Sequence, residues 1–275
     1  MDERQVSVRD GMFEIDVLEA GSGDPLLYLH GIGGLEWGEH LEQLAQSHRV
    51  IAPRHPGFGG STGTDELADL PDLVYYYLDL LDEMAISSAV LVGHSLGGMI
   101  AAELAAVQPQ RFSRVVLISP FGIWNEAHPG LDIFGSTPAE FASSLYADAD
   151  SDAALAIAGK PPRAASEASS EAAQNEATIA FMLERAKAMS TAAKYLWPIP
   201  NKGLKKRIHR ITQPVLILWG DGDGITPPAL AADFDALLSN SRVEHVAGAT
   251  HMAPSEQPER VAELIGEFME SSAGS

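Results

Sequence analysis

The stretch Ala89-Val90-Leu91-Val92-Gly93-His94-Ser95-Leu96-Gly97-Gly98 decides the fold of this chain. Its first four residues are typical of a buried strand, and the alanine-rich residues 99–107 that follow are typical of a helix. A serine at the turn between a strand and a helix takes a strained backbone conformation, and side chains at Gly93 and Gly97 would collide with the neighbouring elements. The helix also directs free N–H groups toward the serine. The pattern G-x-S-x-G in this setting therefore predicts a nucleophile, Ser95.

Outward from this stretch, short apolar runs alternate with helical patterns. An antiparallel hairpin with its turn at Asp10-Gly11 comes first. Helical spacing of apolar residues then occurs at 70–81, more briefly near Leu41, and again at 261–268. A hairpin followed by alternating strands and helices predicts an α/β protein with a mostly parallel, eight-stranded sheet covered by helices on both faces. The other predicted strands are residues 26–30, 49–52, 115–118, 214–219 and 242–246.

Residues 121–211 interrupt this alternation and are rich in Ala, Ser and Glu. We predict that they form a helical cap inserted into a core domain made of residues 1–120 and 212–275. Gly159-Lys160-Pro161-Pro162 breaks the helical pattern, and the middle of the interval is alternatively a partly disordered insertion. A stripe of apolar residues at helical spacing is expected to pack against the rest of the protein: Ile179, Met182, Leu183, Ala186 and Met189.

The composition restricts the classes of protein and partner. Lys and Arg number 18 and Asp and Glu number 38, so the formal net charge is −20. This excess of negative charge argues against nucleic acid or an anionic membrane as a partner. The chain has no cysteine, which excludes disulfides, a thiolate nucleophile and thiolate metal sites. No signal peptide is visible after Met1, and a cytoplasmic enzyme is the expectation.

A serine hydroxyl needs a base to take its proton, and the base needs an orienting acid. On sheets with this kind of serine turn, the acid follows the serine in the chain and the histidine follows the acid. Asp223 lies in a glycine-rich turn after the strand predicted at 214–219 and is our choice of acid, with Asp221 as the competitor. His251 lies in a loop after the last predicted strand and is our choice of base.

The transition state of acyl transfer also needs two N–H donors directed at one point. The first is expected to be the N–H of Leu96, directly after the nucleophile. The second is expected from the loop His30-Gly31-Ile32-Gly33-Gly34, at the N–H of Ile32, because the glycines allow close approach of a substrate. A phosphate-binding loop is the weaker interpretation, because neither a P-loop lysine nor G-x-G-x-x-G follows.

These pieces, in this order and spacing, resemble the α/β-hydrolase superfamily. The resemblance rests on the loop at His30-Gly31, the segment 56–61, the turn at Ser95, Trp219-Gly220 leading to Asp223, and His251. It covers nearly all of the chain outside the predicted cap and implies an α/β-hydrolase fold. The expected reaction needs no metal or organic cofactor. One departure is visible, since relatives often carry Asp where this chain has Arg54. That position is usually structural, so the departure concerns local packing.

The nucleophile narrows the reaction that the resemblance implies. Relatives that open epoxides or remove halide usually carry Asp in place of Ser95, and relatives that cleave carbon–carbon bonds often carry Trp in place of Met252. Hydrolysis of a small-molecule carboxylic ester is therefore the expected activity. Lactone opening, carbon–carbon hydrolysis and binding without catalysis are the alternatives.

Aromatic residues near both ends of the predicted cap are candidates for an apolar substrate pocket. Our candidates are Phe121, Trp124 and Trp197, together with Met252; alternatively the aromatic residues form the core of the cap itself. A basic cluster in the same interval either attracts an anionic substrate or is a solvated face. Its members are Lys202, Lys205, Lys206, Arg207 and Arg210.

Overall fold

The computed structural model describes residues 1–158, 171–199 and 201–271. Its strands are β1 (Asp2–Val8), β2 (Phe13–Ala20), β3 (Pro25–Leu29), β4 (Arg49–Pro53), β5 (Ala89–His94), β6 (Phe112–Ile118), β7 (Val215–Gly220) and β8 (Ser241–Val246). They form one sheet of 8 strands in the order β1-β2-β4-β3-β5-β6-β7-β8. β2 pairs antiparallel with β1 and β4, and all other neighbours pair parallel. The predicted mostly parallel eight-stranded sheet is confirmed.

Helices cover both faces of this sheet. Those in the described ranges are α1 (Glu39–Leu44), α2 (Leu70–Glu83), α3 (Leu96–Val107), α4 (Pro138–Leu145), α5 (Asp152–Ile157), α6 (Glu171–Leu196), α7 (Leu230–Asp235), α8 (Ala253–Glu256) and α9 (Pro258–Glu270). α2, α3 and α7 pack on one face, and α1 and α9 pack on the other. Local signals set the helix starts: the Asp69 side chain accepts the Asp72 N–H at 3.1 Å and so begins α2.

The central strands are largely apolar because each face of the sheet has its own core. Along β3, Leu27 and Leu29 belong to the core under α2 and α3, whereas Leu26 and Tyr28 belong to the core under α1 and α9. Successive strand residues point to opposite faces, so a strand buried on both faces is a continuous apolar run. The parallel strands β3, β5, β7 and β8 all end at the same edge of the sheet, and the loops after them therefore meet there.

The predicted cap lies between β6 and β7 in the chain. Its described parts hold α4, α5 and α6 and two 3-10 turns at Leu204–Lys206 and Ile208–Arg210. The C-terminal end of α6 is attached to the loop after β4, because Lys187 Nζ donates to the Gly59 carbonyl at 2.9 Å and Lys194 Nζ to the Thr64 carbonyl at 2.6 Å. The break predicted at 159–162 lies outside the described residues. The division into a core and a cap domain stays a prediction.

The expected packing of the apolar stripe on α6 is wrong for most of its length. Ile179 and Met182 are both 58 % exposed and Leu183 is 64 % exposed. Only the C-terminal end of the stripe is covered, where Met189 packs against the core. The hydrogen bonds that join the helix to the loop after β4 come from Lys187 and Lys194, and a periodic apolar pattern does not specify which part of a long helix a neighbour covers.

None of the helices in the described ranges combines the length and the apolar character that crossing a bilayer requires.

Candidate active site

Ser95 stands at the sharp turn between β5 and α3. Its backbone has φ 58° and ψ −116°, an uncommon region for a residue with a side chain. The turn has no room for larger neighbours: a Cβ added to Gly97 would overlap the Leu29 carbonyl, and one added to Gly93 would overlap the Gly97 carbonyl. The serine is held by its own N–H, which donates to the Ile118 carbonyl at 2.9 Å. The close packing of β3, β5 and α3 thus accounts for both glycines.

The loops after β5, β7 and β8 bring Ser95, Asp223 and His251 into one hydrogen-bonded chain. His251 Nε2 lies 2.8 Å from Ser95 Oγ, and His251 Nδ1 lies 2.9 Å from Asp223 Oδ2. All three residues are buried. Because the carboxylate can only accept, His251 donates from Nδ1 and presents the lone pair of Nε2 to the serine hydroxyl.

The carboxylate of Asp223 is held from several sides. Oδ1 accepts the N–H groups of Ile225 and Thr226, each at 2.9 Å, and Oδ2 accepts the Thr226 hydroxyl at 2.9 Å. Burial by itself raises the pKa of Asp223, but the imidazole of His251 and these hydrogen bonds outweigh it, so the pKa lies below its usual value. Asp223 is therefore ionised at neutral pH.

Asp221, the competing acid, points away from this chain of hydrogen bonds. Its side chain is 55 % exposed and pairs with His245 at 3.2 Å. The glycine-rich turn 220–224 therefore separates two carboxylates that are two residues apart, one in solvent and one facing His251.

The loop 30–34 after β3 passes directly over the serine. A Cβ added to Gly31 would lie 3.1 Å from Ser95 Cβ and 3.6 Å from its Oγ, so a side chain here would crowd the serine. Ile32 follows it and is buried. Leu96 begins α3, and the first N–H groups of a helix have no carbonyl one turn back to bond. The two N–H groups predicted to stabilise an oxyanion therefore belong to segments that flank Ser95.

Several residues that touch the triad were not selected from the sequence. The Thr226 hydroxyl lies between Asp223 and His251, at 3.4 Å from the latter's Nδ1. His94 Nε2 lies 2.7 Å from the His251 carbonyl. Burial and the nearby imidazole of His251 lower the pKa of His94 to about 3, so it is neutral and donates this hydrogen bond. Position in the sequence could have identified Thr226 and His94, since each lies within three residues of Asp223 or Ser95.

Glu256 fixes the loop that carries His251. Its Oε2 accepts the Thr250 N–H at 2.6 Å, and its Oε1 accepts the Ala147 N–H, also at 2.6 Å. The Thr250 hydroxyl lies between this carboxylate and the Leu145 carbonyl. The end of α4 is thereby attached to the loop that carries His251, and the Gly224 N–H attaches the loop that carries Asp223 to the Ser144 carbonyl at 3.3 Å.

The four residues selected as substrate-binding lie in different surroundings. The ring of Phe121 is 6.0 Å from that of His251, and its N–H donates to the Ser95 carbonyl at 3.2 Å. Met252 is half-buried beside His251. Trp124 is half-buried, whereas Trp197 is 57 % exposed with its edge toward Phe134. Within the described ranges, neither tryptophan shares a hydrogen bond or ring contact with the triad.

The basic cluster at 202–210 is largely engaged in holding the chain together. Arg207 forms two hydrogen bonds to the buried carboxylate of Glu103, at 2.7 and 2.6 Å. Lys205 donates to the Trp124 carbonyl at 2.8 Å and Arg210 to the Ala106 carbonyl at 3.1 Å. These contacts give the cluster a structural use and do not favour the idea that it attracts an anionic substrate.

Comparisons with known proteins agree with this architecture. A 2-hydroxymuconate semialdehyde hydrolase from a Pseudomonas strain is 27% identical over 258 residues, which are 91% of this chain and 88% of that protein. A pimeloyl-[acyl-carrier protein] methyl ester esterase from Photobacterium profundum is 26% identical over 264 residues, or 90% of this chain and 96% of that one. A match of 35% over 114 residues to a dihydrolipoyllysine-residue acetyltransferase component from Cupriavidus necator spans only 30% of that protein.

Among solved structures, a bacterial membrane phospholipase A superposes with a TM-score of 0.78 and 24% identity, covering 98% of this chain and 86% of that one. At this identity the likeness concerns the fold. The family model described as alpha/beta hydrolase fold matches residues 24–258, from the start of β3 to the first residue of α9. On that match the chain belongs to the alpha/beta hydrolase fold family.

Proposed function

We propose that the protein is a serine hydrolase that cleaves a small carboxylic ester through an acyl-enzyme intermediate. The observation that carries the proposal is the buried chain of hydrogen bonds from Ser95 through His251 to Asp223. A hydroxyl 2.8 Å from an imidazole nitrogen is positioned to pass its proton to that nitrogen as its oxygen attacks a carbonyl. Asp223 orients the imidazole and stabilises the cation that forms.

The reaction then runs in two steps. Ser95 Oγ bonds to the ester carbon while its proton moves to His251 Nε2, and the carbonyl oxygen becomes an oxyanion that accepts from the N–H groups of Ile32 and Leu96. The bond to the alcohol breaks, and His251 returns the proton to the leaving oxygen. Water then attacks the acyl group, His251 takes a proton from it, and Ser95 leaves as the hydroxyl. The net change is one ester and one water converted to an acid and an alcohol.

The relatives support hydrolysis but differ in the substrates that their names give. The esterase from Photobacterium profundum favours an ester substrate, and a serine nucleophile with a paired histidine is suited to it. The similarity to the 2-hydroxymuconate semialdehyde hydrolase, over 91% of this chain, favours carbon–carbon hydrolysis as the second candidate.

Two measurements test the proposal. A fluorophosphonate probe followed by intact-mass analysis and peptide mapping should label Ser95 in the wild type and leave S95A unlabelled. A panel of p-nitrophenyl esters, lactones and ring-fission products should give turnover on the esters, which S95A lowers by about 10⁴ to 10⁶ in kcat. Absence of an adduct contradicts an activated serine. Turnover confined to ring-fission products replaces the ester hydrolase with the second candidate.

A further inference from the structure

Two stacked histidines and a tyrosine lie beneath the loop 30–34. The rings of His30 and His55 are 3.7 Å apart between centroids and tilted by 33°. His55 Nε2 lies 2.8 Å from the His30 carbonyl, the His55 N–H donates to His30 Nε2 at 3.0 Å, and the Tyr77 hydroxyl contacts His55 Nδ1. All three side chains are buried. None of the three is part of the hydrogen-bonded chain at Ser95.

The partners fix where each ring carries its proton. His30 Nε2 faces an N–H group, so it must be the bare nitrogen, and the proton of His30 must be on Nδ1. His55 Nε2 faces a carbonyl, so it must carry the proton, and its bare Nδ1 accepts from the Tyr77 hydroxyl. Burial lowers the pKa of His55 to about 4 and, together with the charge that His55 would carry, lowers that of His30. Both rings are therefore neutral at neutral pH.

The proton on His30 Nδ1 in turn holds the peptide between Gly31 and Ile32 in one orientation. Nδ1 donates to the Gly31 carbonyl at 2.7 Å, and the Gly34 N–H donates to the same oxygen at 3.2 Å. A trans peptide directs its carbonyl and its N–H in opposite directions, so a fixed Gly31 carbonyl fixes the direction of the Ile32 N–H. In the other tautomer, the bare Nδ1 of His30 would face this carbonyl and repel it.

We propose that His55, held by Tyr77, is a positioning residue for the reaction. Its backbone N–H fixes the tautomer of His30 and its ring holds the His30 carbonyl, and together these bonds direct the Ile32 N–H at the substrate oxygen. The inference rests on the proposed function, since an N–H donor at this place matters only if Ser95 attacks a carbonyl. His55 follows β4 and Tyr77 lies in α2. Neither residue therefore belongs to the loops that carry Ser95, Asp223 and His251.

Three variants and two matched controls test it. H55F keeps the stacked ring and the backbone N–H that bonds His30 Nε2, but it removes the ring's bonds to the His30 carbonyl and to the Tyr77 hydroxyl. H55Q restores an N–H at the position of Nε2, and Y77F removes one hydroxyl. H40F is the control for loss of a buried histidine outside this group. Y76F is the control for loss of a buried tyrosine hydroxyl, since that of Tyr76 has no hydrogen-bond partner among the described residues. kcat and KM are measured with an ester substrate. The rate is divided by the concentration of sites that react with the fluorophosphonate probe, so that misfolded protein is not counted.

We expect H55F to lower kcat by up to about 10²-fold with KM within about threefold. Removal of an oxyanion donor costs about this much, and H55F misdirects the Ile32 N–H without removing it. H55Q should recover about tenfold of that loss, and Y77F should lower kcat about fivefold, the effect of one hydrogen bond. The controls should stay within about twofold, because neither of these buried side chains takes part in the hydrogen bonds that reach the loop 30–34. A purely structural role would instead lower the titrated fraction and leave kcat per titrated site unchanged.

A spectroscopic measurement does not depend on turnover. In ¹⁵N-histidine NMR of the wild type, His30 should show a protonated Nδ1 and a bare Nε2, and His55 the reverse. Wild-type kcat in H55F and Y77F, or a proton on His30 Nε2, overturns the inference while the proposed function stands. A wild type that neither reacts with the probe nor turns over esters overturns the proposed function and the inference with it. If H55F does not fold, H55Q and Y77F decide the question.

Discussion

The Asp223 carboxylate can be converted to an amide with almost no change in volume, and the structure dictates how that amide must lie. Oδ1 accepts the N–H groups of Ile225 and Thr226, so the oxygen of an asparagine must stay in that position. Its NH₂ group then faces His251 Nδ1, where Oδ2 now lies 2.9 Å away. Two donors cannot face each other, so His251 has to move its proton to Nε2.

A proton on Nε2 faces Ser95 Oγ and blocks the transfer that the proposed reaction needs. We expect D223N to lower kcat about 10⁴-fold, which is about 5.5 kcal/mol of transition-state stabilisation, with a small change in KM. The assay is hydrolysis of p-nitrophenyl acetate from about pH 6 to about pH 9, with a thermal melt of each variant to confirm that it is folded.

D221N is the matched control, since it makes the same change two residues away on a carboxylate that is 55 % exposed. It should keep kcat within about twofold of the wild type. A folded D223N that retains more than about one tenth of the wild-type kcat would refute the role given to Asp223, because the wrong tautomer cannot sustain such a rate. Equal losses in both variants would assign the effect to the turn and not to the carboxylate.

Three further predictions concern stability. G97A should destabilise the fold by about 3 kcal/mol or more in urea melts, since its Cβ overlaps backbone that cannot move without opening the sheet, and a wild-type midpoint would contradict this. R207M leaves the Glu103 carboxylate, which is 4 % exposed, without its partner; because Arg207 is itself 39 % exposed, we expect a loss of about 2 kcal/mol. Burial lowers the pKa of His40 to about 4, so the unfolded chain binds a proton that the folded protein refuses between about pH 6.5 and pH 4, and stability falls as the pH falls through this window. Removing that site in H40F should reduce the loss of unfolding free energy between pH 7 and pH 5 by about 2 kcal/mol, and an unchanged difference would show that this histidine does not couple folding to pH.

The sheet, and the meeting of the Ser95, His251 and Asp223 side chains, were predictable because each has a local signal. Strands buried on both faces are continuous apolar runs, and the hairpin turn at Asp10-Gly11 joins β1 to β2 as expected. The order of Ser95, Asp223 and His251 along the chain anticipated the atoms that meet. The sequence could not choose between Asp221 and Asp223, because that choice depends on which way each side chain of the turn 220–224 faces after β7.

The features that the sequence predicted wrongly or did not predict depend on contacts between distant segments. The stripe on α6 predicted a helix correctly, but its exposed positions at Ile179 and Leu183 depend on where the helix meets the loop after β4. The pairing of His55 with Tyr77 joins two segments that no local pattern connects. Such tertiary contacts carry no periodicity, and a single sequence therefore does not display them.

The attachment of Glu256 to Thr250 and to the backbone after α4 has a consequence for protein engineering. Grafting the segment between β6 and β7 from a relative is a natural way to change selectivity. A chimera whose backbone takes a different path at residues 144–147 displaces the Ser144 and Leu145 carbonyls and the Ala147 N–H that form these bonds. The transplanted enzyme would then lose alignment of its acid and base loops together with its old selectivity. Grafts that begin after residue 147 keep these hydrogen bonds. Comparing the two designs distinguishes a loss of substrate recognition from a loss of alignment between the loops that carry Asp223 and His251.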